Sequence, residues 1–159
     1  MKRTQDRPFD PTETDRREIA GFGASLVVAE PGEPLMLRGW SWESHNGTTI
    51  FGEAGYLTDA EQEVRVRTWK HLPGFSEADA AQAHLADLRD NFAAGEPTPA
   101  DSVGVIVDGE EHLAARFSTG GFDLAICRLD GVTLTIAWPA DSLLPKLVDS
   151  AGGSPGVMR

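Results

Sequence analysis

Alternation of apolar and polar residues governs most of this chain, and a helical period governs one stretch of it. "EVRVRTWK" (63–70) alternates cleanly, with Val64 and Val66 on one face and Arg65, Arg67 and Trp69 on the other. "ASLVVAE" (24–30) is almost wholly apolar and reads as a buried strand closed by Pro31-Gly32. "PLMLRGWSWESH" and "TTIFGE" flank Asn46-Gly47, a pair suited to the positive φ angles of a type I′ hairpin turn. A two-residue loop there sets His45 opposite Thr48, Glu43 opposite Ile50 and Trp42 opposite Phe51. Trp40 then shares a face with Trp42, and Glu43 and His45 point the other way.

The helical stretch is "SEADAAQAHLADLRDNFAAG". Ser76 suits the N-cap and Asp79 the third helical position, a variant of the capping box. Ala78, Ala81, Leu85, Leu88 and Phe92 form one apolar stripe, and Gly95 is placed to end the helix, so the predicted helix spans 76–94. Asp79, Asp87 and Asp90 fall on its outer face. After the loop "EPTPAD" come four strands in meander order, turning at Asp108-Gly109, at "STGG" and at Asp130-Gly131. In the last hairpin Cys127 faces Leu134 and Ala125 faces Ile136. "PADSLLPKLVDS" is compatible with a short C-terminal helix capped by Asp141 or Ser142.

Consecutive hairpins predict an α+β domain: an antiparallel sheet of about six to seven strands, the long helix packed on one face. The domain is expected over 23–149, between a flexible segment at 1–22 and a flexible tail at 150–159. Length and a 40% hydrophobic content agree with one globular domain, and no apolar run is long enough for a helical membrane span. The start of the chain lacks the apolar stretch of a secretory signal, and a single cysteine, Cys127, permits no internal disulfide. A cytoplasmic setting is expected.

Charge changes the picture more. Between Ser76 and Glu111 nine acids meet one base, Arg89, which accounts for −8 of the formal −11. Such a region repels phosphate backbones and steers basic partners inward. Motifs for chemistry are sparse. "GFG" (21–23) precedes a strand instead of following one and lacks the third glycine of a dinucleotide loop, and no Walker-type sequence is present. The histidines (His45, His71, His84, His112) are scattered, so neither a metal nor any other cofactor is implied. Glu43 with His45, and Glu110 with His112, stand at i, i+2 and offer a base beside a carboxylate, but as isolated pairs they read as exposed polar decoration. Cys127, mid-strand, reads as a small buried hydrophobe. Arg65, Arg67, Trp69 and Lys70 are the one strip that could grip nucleic acid, yet Glu61 and Glu63 on the same face favour local ion pairing.

These features point first to a non-catalytic module that binds another protein, expected to be basic, through an acidic surface of Asp79, Asp87, Asp90, Glu110 and Glu111. Immunity and inhibitor proteins against basic toxins share that composition, as do acidic adaptors. A second reading is a small-molecule-binding domain or enzyme with its pocket near Trp40, Trp42, Glu43 and His45. A third is a regulatory or structural homodimer.

Overall fold

The alternating segments form strands that pair into one sheet, which a computed structural model describes for residues 2–3, 27–30, 32–45, 48–71, 73–92, 94–129 and 131–149. Side chains are described for all of these except residues 2–3, 40, 42–45, 48–50 and 149. The strands are β1 (Lys2–Arg3), β2 (Val27–Ala29), β3 (Leu35–His45), β4 (Thr48–Thr58) and β5 (Glu63–Lys70). Helix α1 (Glu77–Phe92) follows, then β6 (Thr98–Val107), β7 (Glu110–Ser118), β8 (Phe122–Arg128), β9 (Val132–Pro139) and β10 (Leu147–Asp149). Their spatial order is β1-β3-β4-β5-β9-β8-β7-β6-β10-β2. Among the described residues the expected six to seven antiparallel strands are therefore ten, or nine without the two-residue β1, and the sheet is mixed because β10 pairs parallel with β6.

The sheet curls until its last strand lies against its middle. Val27 N–H donates to Thr68 Oγ1 on β5 at 2.9 Å, and Ala29 N–H donates to the Tyr56 hydroxyl on β4 at 2.9 Å. Side chains thus satisfy edge amides that no neighbouring strand reaches, and the result is nearly a barrel. Its interior holds one alternate residue set: Ala54 and Tyr56 of β4, Val64 and Val66 of β5, Leu134, Ile136 and Trp138 of β9. The opposite set of β8 and β9 faces outward, and α1 covers it: Ala81, Leu85 and Leu88 pack on Leu124 and Ala137.

Local chemistry sets the boundaries. Ser76 and Asp79 form the expected reciprocal cap, with Asp79 N–H donating to Ser76 Oγ at 3.1 Å and Ser76 N–H to Asp79 Oδ2 at 2.8 Å. The buried stripe departs from the expectation: Ala78 is exposed, and Ala80 and His84 are buried instead. Gly95 also acts otherwise than expected. Its N–H donates to Thr119 O at 2.8 Å, and a Cβ at that position would lie 2.7 Å from the same oxygen. Close approach of the β7–β8 turn, not a left-handed cap, requires glycine there.

Three more expectations are corrected. The segment expected as a C-terminal helix enters the sheet as β10, because Leu147 inserts into the core and pairs with Ala29. The "EPTPAD" loop is shorter than expected: β6 begins at Thr98, and Pro99 is tolerated because that part of β6 pairs only with β7. In the β3–β4 hairpin, Ser44 pairs Thr49 but Glu43 pairs Phe51, so Ile50 is an extra residue and Trp42 meets Gly52 instead of Phe51. His45 does pair Thr48, and the Asn46-Gly47 turn lies outside the described residues, as do the segments at 4–22 and 150–159.

Candidate functional site

Three places bring polar or reactive groups together. The first is the outward set of β4 and β5, where alternation puts Glu53, Arg65, Arg67 and Trp69 on one side. The end of α1 lies over them. Arg67 donates to Glu53 Oε2 at 2.6 Å and to Asp87 Oδ2 at 2.9 Å; Arg65 donates to Glu53 Oε1 at 2.8 Å and to Glu63 Oε1 at 3.2 Å. Arg65 also lies over the Phe92 ring, and Arg67 over Phe51 and Trp69. Burial works against the Arg65 charge, yet Glu53 and Glu63 outweigh it and hold its pKa above the ordinary value. Three carboxylates answer two guanidiniums, and each charge is held by another. That is a brace between helix and sheet. The local ion pairing expected of this strip is present, but largely under cover, with Arg67 and Trp69 buried.

Beneath the brace, Trp69 Nε1 donates to Thr135 Oγ1 at 2.7 Å, and the same hydroxyl meets His84 Nδ1 at 2.8 Å. His84 is fully buried and its Nε2 has no partner. Burial, then the charges of Arg67 and Arg65, hold its pKa well below the usual histidine value, so the ring is neutral.

The second place is a groove of about 200 Å³ where the end of β5 meets the start of α1, between Trp69, Phe75 and Arg128. The third is the β6–β7 hairpin. The turn expected at Asp108-Gly109 is there, and the two residues have φ 54° and 80°, the positive values of a type I′ turn. On the outward side of β7, Phe117 packs near the end of α1, but Leu113 lies beyond the helix and is 79% exposed. Beside it Glu111 pairs with Ile106 and lays its carboxylate over Gly104. Glu110, next in the strand, faces the other side, where His112 Nε2 is 3.7 Å away.

The expected acidic surface is thus not one set. Asp79 is occupied in capping, Asp87 in the brace, and Asp90 stands exposed on the helix, whereas Glu110 and Glu111 belong to the hairpin. Trp40, Trp42, Glu43 and His45 all lie on β3, but their side chains are outside the described ones. Cys127 faces Leu134 in the core, and burial, helped by Glu77, pushes its thiol up to about 11. Among the described residues no three His, Cys, Asp or Glu side chains gather as metal ligands, and no helix is long and apolar enough to cross a membrane. Sequence reasoning missed Leu113. Its signal was an apolar residue in phase with Glu111, Ala115 and Phe117, on a mainly apolar face of β7 whose far end, at Phe117, packs near α1. No protein-family model, curated protein or solved structure matches the chain.

Proposed function

We propose that this protein is a non-catalytic, cytoplasmic module that binds a basic protein partner through the β6–β7 hairpin. The observation that carries this reading is Leu113, an exposed apolar side chain on the same side of β7 as the exposed Glu111, in a chain of net charge −11. Leu113 and Ile106 supply apolar contact, and Glu110 and Glu111 supply orientation and steering. The helix acids fit a contact role less well, since Asp79 and Asp87 already hold the fold together. An immunity- or inhibitor-like role against a basic protein agrees with this surface.

The test is a comparison of proteins retained from host lysate by the wild type, by Glu110→Lys/Glu111→Lys and by Asp90→Lys/Glu96→Lys, at low and high salt. A partner released by salt and lost only with the hairpin pair supports the reading. Equal retention by all three proteins contradicts it.

A further inference from the structure

Two apolar cores lie on opposite faces of the one sheet. The interior core is built from the strands and takes no residue from α1. The outer core is small: Ala81, Leu85 and Leu88 of the helix against Leu124 and Ala137. The helix can therefore leave as a unit of local unfolding without opening the interior. Halfway along its covered side sits His84, fully buried, with Nδ1 2.8 Å from Thr135 Oγ1 and Nε2 without a partner.

The charges around this ring do not favour a proton on it. Arg67 and Arg65 of β5 bear on it directly. The nearby carboxylates are taken: Glu53 of β4 by both arginines, Glu63 by Arg65, and Asp87 of α1 by Arg67. From β8 comes another cation, Arg128, paired with Glu77 at the start of the helix. From β9 come only hydroxyls, Thr135 to His84 and Thr133 to His71. A protonated His84 would place a charge under the helix beside two guanidiniums, and neither of its nitrogens meets a carboxylate. Release into water lifts both costs and returns the ring to its ordinary 6.5, so the open state takes up a proton that the closed state refuses. Opening is therefore eased as pH falls below 6.5.

We propose that α1 is a detachable cover latched by His84: protonation of this ring releases the helix and lays bare the outward apolar face of β8 and β9 while the barrel stays folded. The device is separate from the β6–β7 hairpin, and neither depends on the other.

The test is native-state hydrogen exchange of the full chain at pH 7.5 and at pH 5, read as protection factors for amides of α1 and of β4, β5 and β9. Uptake of one proton makes release easier by up to about 30-fold over that interval, and α1 is expected to lose at least about ten-fold in protection. At pH 5 the α1 amides should be at least about ten-fold less protected than those of the strands. His84→Gln, which keeps a polar group near Thr135 and takes up no proton, is expected to hold α1 protection nearly level between the two pH values. His84→Phe carries the same expectation if the glutamine variant does not fold. Asp87→Asn, which removes the helix's own carboxylate from the brace, keeps the pH response. Equal protection of α1 and the strands at pH 5 would mean that the helix leaves only when the whole chain unfolds, and would overturn the proposal. So would α1 protection that ignores pH in the wild type, an undiminished pH response in His84→Gln, or its loss in Asp87→Asn.

Discussion

Arg67 Nη2 donates to Asp87 Oδ2 at 2.9 Å, and this bond joins the middle of β5 to α1 across the layer boundary. The same guanidinium holds Glu53 on the neighbouring strand at 2.6 Å, so a single side chain fixes helix and sheet together. Removing it takes one of two guanidiniums from the mostly buried Glu53 and leaves only Arg65 to hold that carboxylate against the sheet. Arg67→Ala is expected to lower stability by about 3 kcal/mol, and Asp87→Ala, at the more exposed end, by about 1 kcal/mol. Denaturant unfolding of both variants checks this; equal losses would show that the bond to Glu53 carries no special weight.

Closure of the sheet rests partly on Tyr56. Its hydroxyl accepts the Ala29 N–H, and burial holds its pKa far above the ordinary tyrosine value, so it stays protonated. Tyr56→Phe leaves a buried amide without an acceptor, which costs about 1–3 kcal/mol. Hydrogen exchange should locate the damage: the Ala29 amide is expected to exchange faster in the variant, relative to the β8–β9 amides. Unchanged protection of Ala29 would mean that β2 is held by other contacts.

Cys127 is expected to be inert. Its thiol is buried and raised to about 11 from a reference of 9.0. The folded chain therefore keeps a proton that the unfolded chain releases, and this group's contribution to stability falls as pH rises from about 9 to 11. Thiol titration at pH 8 should proceed at least about 100-fold faster in denaturant than in the native protein. Comparable rates would place the sulfur at the surface.

His84 makes the acid limb steeper. Its folded pKa lies well below the reference 6.5, so the unfolded chain takes up a proton first as pH falls. Below pH 6.5 this costs up to about 1.4 kcal/mol per pH unit until the folded pKa is reached. His84→Phe should flatten stability against pH between 6.5 and 5 relative to wild type, whatever it does to stability at neutral pH. Parallel curves for the two proteins would contradict a neutral buried ring.

Much of this architecture was legible because it is local. The Ser76–Asp79 cap, the 108–109 turn and the pairing of Cys127 with Leu134 each follow from a few adjacent residues. Alternation along "EVRVRTWK" separated its two faces correctly, yet it could not say that α1 would cover the charged one. An arginine that binds Glu53 beneath a helix looks the same in sequence as one in water. The bulge at Ile50 and the entry of Leu147 into the sheet were hidden for another reason: both are settled by partners distant in the chain. The acidic stretch was visible as charge, but which acids were already engaged, Asp79 and Asp87, required coordinates.

Leu113 offers the most direct test of the proposed partner surface, because Leu143 provides a matched control. The two leucines are 79% and 92% exposed, but Leu143 lies in the β9–β10 connection, outside the hairpin itself. The measurement is the dissociation constant of a salt-released partner for wild type, Leu113→Asp and Leu143→Asp. Loss of an anchor at an interface centre commonly exceeds about 2 kcal/mol, or roughly 30-fold in affinity. The account predicts a loss of that size for Leu113→Asp and wild-type affinity for Leu143→Asp. Wild-type affinity in Leu113→Asp, with the fold intact, would contradict it.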